Sequence, residues 1–139
     1  MILRCATNSL AKCPSAYLDP GDSGWKRIEP LTPKSIYICY AVMAARDGLW
    51  YYVLDDRDIP YPIHYPAPLF EVQGGKLSRE WVVHHHNVHD QERFTVVIST
   101  AAWASEPRFF ERLVDGDDAT TALFTEYRNR MEREFDLWR

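Results

Sequence analysis

Between Ser35 and Ala45 apolar side chains occupy nearly every position. In "SIYICYAVMAA", Ile36, Ile38, Tyr40 and Val42 fall on one face of an extended strand and Tyr37, Cys39, Ala41 and Met43 on the other. A strand apolar on both faces is a central one. "ARDGLW" follows, and its Asp47-Gly48 pair tolerates the positive φ of a tight two-residue hairpin, so "LWYYVLDD" returns antiparallel to the first strand. From 57 to 68 the pattern breaks into "RDIPYPIHYPAP", a loop in which four prolines remove ladder donors. "LFEVQ" and "LSREWVVHHH" then flank Gly74-Gly75-Lys76, which predicts a third hairpin.

"RFTVVISTAAW" is rich in β-branched residues and reads as a last strand, with Ser99 to Trp103 as its end or an early helical turn. In "SEPRFFERLVDG", Ser105 as N-cap, Phe109, Phe110 and Leu113 on one side and Gly116 as stop predict a short helix. "DGDD", 115 to 118, is punctuation, with Asp117 or Asp118 capping the next helix. That helix is amphipathic: Phe124, Tyr127, Met131, Phe135 and Trp138 recur at steps of three and four, with Glu126/Arg130 and Arg130/Glu134 as i,i+4 pairs on the other side. Strands first and helices last predict a single α+β domain over 1–139. Its architecture is a bent antiparallel sheet of about five or six strands, SH3-like or half-barrel, covered on one side by two C-terminal helices.

Composition narrows the function classes. At 139 residues with 46% hydrophobic and 26% charged residues the chain buries a real core without staples. No apolar run approaches the roughly 18 to 20 residues needed to cross a bilayer. The amino end is broken by Arg4, Asn8, Ser9 and Lys12 before a signal-type apolar segment forms, so a cytoplasmic protein is expected. Cys5, Cys13 and Cys39 fit neither a disulfide framework nor a CxxC pair and read as reduced, buried thiols. A net charge of -4 argues against a generic phosphate-backbone binder and suits a basic protein partner.

At "SIYICYAV", "WYYVLDD" and "YPAPLFEVQGGKLSREW" the chain resembles a group of small bacterial proteins of unassigned activity. They share a Tyr-rich strand pair, a Tyr-Pro-Ala-Pro-Leu-Phe-Glu box and a Leu-Ser-x-x-Trp element. The resemblance covers most of the chain and implies a fold and a bacterial origin rather than a reaction. Some such proteins look like products encoded beside toxin systems, which brings in an immunity-like role. The box ends near Trp81 and does not include the histidines that follow.

Those histidines form the densest chemical cluster. On a continuing strand His84 and His86 point to one face and His85 to the other. His84, His86 and His89 would then ligate zinc or another divalent transition metal, with Asp90 or Glu92 as general base of a hydrolase. The bland alternative is a solvated strand end. The proline loop offers Tyr61, His64 and Tyr65 as rigid contact area if the rings face out, or a cover for the end of the sheet if they fold back. "DDRD" places Asp55, Asp56 and Asp58 beside it without calcium-loop spacing. Elbow, phosphate-loop and HExxH motifs are absent. The leading expectation is therefore a non-enzymatic protein-binding module that uses the Tyr/Pro loop and its acidic turn against a basic partner. The alternatives are the metal-dependent hydrolase and a homodimer paired through a sheet edge.

Overall fold

A computed structural model describes residues 1–18, 26–45, 48–88 and 93–138. Seven strands are present among them: β1 (Ile2–Cys5), β2 (Ile36–Ala45), β3 (Gly48–Val53), β4 (Ile63–Pro66), β5 (Phe70–Gln73), β6 (Trp81–Val88) and β7 (Arg93–Thr100). Three helices follow, α1 (Ala101–Ala104), α2 (Phe109–Val114) and α3 (Asp118–Trp138). The class is α+β and the sheet is bent and antiparallel. No described helix is long and apolar enough to cross a membrane.

β2 organises the sheet. One edge pairs with β3. The other is shared, with β1 taking Ile36–Ile38 and β7 taking Val42–Ala44. β4 extends the sheet beyond β3, β5 beyond β1 and β6 beyond β7. The short β1 was not anticipated, although Leu3 and Cys5 are fully buried while Ile2 and Arg4 are not, a period-two pattern inside only four residues. β5 pairs with β1, so the third hairpin does not form. Gly74 and Gly75 do turn the chain, at φ of 72° and 68°. Part of the proline stretch is a strand, β4, and its position outside β3 is where missing ladder donors cost least.

A bulge changes the faces of β2. Cys39 pairs with Val53 but Ala41 pairs with Tyr52, which leaves Tyr40 as an extra residue. Strict alternation would put Val42 beside Tyr40 and Ala41 beside Cys39. Instead Tyr37, Cys39 and Val42 pack into one core, with Leu3, Leu31, Val53 and Leu69. Tyr40 and Ala41 pack into another, with Tyr52, Trp103, Phe124 and Met131. The sheet is therefore covered on both faces, not one: by the amino-terminal 3-10 turns (Leu10–Lys12, Ser15–Tyr17) and by the helices. The antiparallel β2–β3 hairpin forms as expected, but its connection is residues 46–47, outside the described residues: Gly48, read as a turn residue, is the first residue of β3 and pairs with Ala45. Gly48, at φ 151°, has the Tyr17 ring where a β-carbon would stand, and the Tyr17 hydroxyl accepts from Leu49 N at 2.8 Å.

Ser105 closes α1 rather than capping α2. The turn into α2 is held instead by Glu106, whose Oε1 accepts from Arg108 N at 3.0 Å. Gly116 stops α2 at φ 78°. Asp117 caps α3, its Oδ2 accepting from Thr120 N at 2.9 Å and Thr120 Oγ1 at 2.7 Å. Phe124, Tyr127, Met131 and Phe135 are buried as their spacing predicts, while the Trp138 side chain is outside the described residues.

Candidate functional site

The Tyr40 carbonyl, displaced from the ladder by the bulge, accepts from Tyr127 Oη at 2.6 Å and from Ser99 Oγ at 2.8 Å. Tyr127 Oη in turn accepts from Trp81 Nε1 at 2.6 Å. This buried relay pins α3 to the sheet, and burial drives the Tyr127 phenol well above its ordinary pKa, so it stays protonated as a donor. A second clasp lies one strand-turn earlier. Glu134 accepts from Ser78 Oγ at 2.6 Å and from Arg79 N at 3.0 Å.

Beside these clasps, α3, Phe109 and the β7–α1 corner line a cleft of about 330 Å³, with Glu80 from the residue before β6. Phe109, Leu123, Ala101 and Ala102 form its apolar side, and Leu123 is 48% exposed. Its polar wall is Arg130 held between two carboxylates, Glu80 Oε1 at 2.6 Å from Nε and Glu126 Oε1 at 2.5 Å from Nη1. The Glu126 pair matches the i,i+4 expectation. The Arg130/Glu134 pair does not form, because Glu134 is taken by Ser78 and Arg130 by Glu80. Two carboxylates on one guanidinium leave the wall with an excess negative charge. Glu80 Oε2 is covered from solvent and has no hydrogen-bond partner among the described residues. Its volume is near the lower bound of small-molecule sites, and it sets carboxylates beside an apolar surface.

The Tyr/Pro loop turns inward. Tyr65 is buried, and its hydroxyl donates to Asp55 Oδ2 at 2.5 Å. Asp55, whose side chain is fully covered, also receives Arg57 Nη2 at 2.6 Å and Arg57 N at 3.0 Å. Burial alone would raise the Asp55 carboxyl; the bonds from Arg57 and Tyr65 outweigh it and hold it below its ordinary value. Neither residue is available as contact surface, because the ring fills the first core and the carboxylate satisfies it. Asp56 is exposed but accepts from Thr32 Oγ1 at 2.6 Å and Tyr37 Oη at 2.9 Å. Only Asp58 of the three is exposed without such a bond, and Tyr61 is half-buried against the second core.

His64 belongs to β4, not to a loop. Its ring meets Tyr52 at 5.2 Å and Trp50 and Phe110 at 5.6 Å, and burial pulls its pKa below the ordinary value. Nδ1 is covered and has no partner among the described residues. In the histidine run, His84 and His86 share a face as expected, their rings stacked at 6.5 Å and 14°. His86 is not simply solvated, since its Nε2 lies 2.7 Å from the Ala104 carbonyl. His89, Asp90 and Glu92 lie outside the described residues. No group of three metal-ligating side chains occurs among the described ones.

Sequence reasoning missed the cleft because its wall combines Glu80 with residues some fifty positions later on α3. The one legible signal was Leu123, an apolar residue beside the buried stripe of α3. No family model, curated protein or solved structure matches the chain.

Proposed function

We propose that this chain is a non-enzymatic binding module that seats a basic segment of a protein partner in the cleft between α3 and the β7–α1 corner. The observation that carries the reading is the wall: Glu80 and Glu126 share a single guanidinium, and one Glu80 oxygen is buried without a partner among the described residues. A lysine or arginine entering there lays its stem on Leu123 and Phe109 and brings its charge to the carboxylates. The test is capture by the immobilised chain from an extract of the cells that encode it. Glu126→Lys should abolish capture of a basic protein, and raised salt should weaken it, since the wall is partly open to solvent. Tyr61→Ala should leave it intact; the reverse pattern moves the contact to the Tyr/Pro loop.

One observation favours a second reading, a metal-dependent hydrolase: His84 and His86 sit side by side on one face of β6. Its further groups, His89 with Asp90 or Glu92, lie outside the described residues. One equivalent of zinc, manganese or iron per monomeric chain, lost on His84→Ala, supports that reading.

A further inference from the structure

We infer that His84 and His86 form half of a zinc site that a second copy of this chain completes by pairing along β6. Among the described residues only one edge of β6 is paired, by β7. Free edges are ordinarily blunted by charges, proline, bulges or a covering segment. Trp81–Val88 contains no charged residue and no proline, and pairs with Arg93–Thr100 over eight positions without a register shift. Val83 is 65% exposed on it. Two copies therefore meet along this edge without like-charge repulsion between the strands.

The ligand chemistry points the same way. His86 Nε2 donates to the Ala104 carbonyl, which fixes the tautomer and leaves Nδ1 with the lone pair a metal needs. Two imidazoles are half of a tetrahedral set, and no described histidine, cysteine or carboxylate joins them as a third. A two-fold axis through His85 makes β6 its own antiparallel partner. His84 then stands opposite the second copy's His86, and His86 opposite its His84. Directly opposed residues share a face with β-carbons about 4.5–5.5 Å apart, so four imidazoles converge on one side. Around zinc, with Zn–N of about 2.0–2.1 Å, ring centres sit roughly 5 Å apart. The two ring centres stand 6.5 Å apart in the free chain, so zinc binding must draw them together. Four histidines fill the coordination sphere, so the site joins chains rather than activating water.

Sedimentation equilibrium of untagged chain, purified without a nickel resin, tests this with chelator and then with zinc chloride. The expected result is a mass that rises from 16.3 kDa to twice that with zinc, carrying one zinc per two chains. His84→Ala, at an exposed position, should abolish both effects. Val83→Lys keeps both ligands but charges the edge, and should raise the zinc needed for dimerisation at least tenfold. A mass indifferent to zinc, a dimer indifferent to chelator, one zinc per monomer, or a Val83→Lys chain that dimerises like the parent would each overturn the inference.

Discussion

Removing the Tyr127 hydroxyl strips the Tyr40 carbonyl of one donor and leaves Trp81 Nε1 without its acceptor, both inside the second core. Tyr127→Phe should therefore cost about 1–3 kcal/mol in urea unfolding, more than a typical surface change. Tyr65→Phe takes one of the two residues that bond the buried Asp55 and should cost about 1–2 kcal/mol, with Arg57 still in place. His64 gives the pH dependence its sign. Its folded pKa is depressed by burial, so the unfolded chain takes up the proton first; stability is full above the ordinary histidine pKa and falls as pH drops through the folded one. Thermal unfolding between pH 8 and 5 should show that slope, and His64→Phe should flatten it. Cys39, whose thiol burial pushes up to about 12, should not react with thiol reagents until the chain unfolds.

At the scale of elements, the helix α3 and the β2–β3 hairpin were legible because each carries its own pattern: buried Phe124, Tyr127 and Met131 on one, two apolar strands separated by a turn signal on the other, although Gly48 proved to be the first strand residue rather than part of the turn. What escaped were features set by partners distant in sequence. β1 is only four residues long, and its pairing with both β2 and β5 gives it a central place that no local pattern announces. The bulge at Tyr40 reverses the facing of Val42, and a two-period reading has no means of locating an inserted residue. The residues of "YPAPLFEVQGGKLSREW" act as fasteners. Tyr65, Leu69 and Phe70 fill the first core, while Ser78 and Trp81 clasp α3. Asp117→Ala removes the α3 cap and should cost about 1 kcal/mol, read as a lowered Tm with the fold retained.

Over the whole molecule, the sheet separates two cores, and the helix-side core ends at its surface in the cleft. Asp55, Asp56 and Asp58 were read as contact surface because they flank a rigid Tyr/Pro loop; folding spends Asp55 on Arg57 and Tyr65, whereas Glu80 and Glu126, held on Arg130, line the open cleft. That relocation of the acidic contact is the central claim. It is tested most directly by placing a photo-crosslinking residue at Leu123 in the cells that encode the chain, with the same substitution at Tyr61 as reference, and identifying the adduct by mass spectrometry. The prediction is an adduct from Leu123 that joins a segment rich in lysine or arginine and disappears with Glu126→Lys. An adduct from Tyr61 alone, or one from Leu123 that Glu126→Lys does not change, would contradict it.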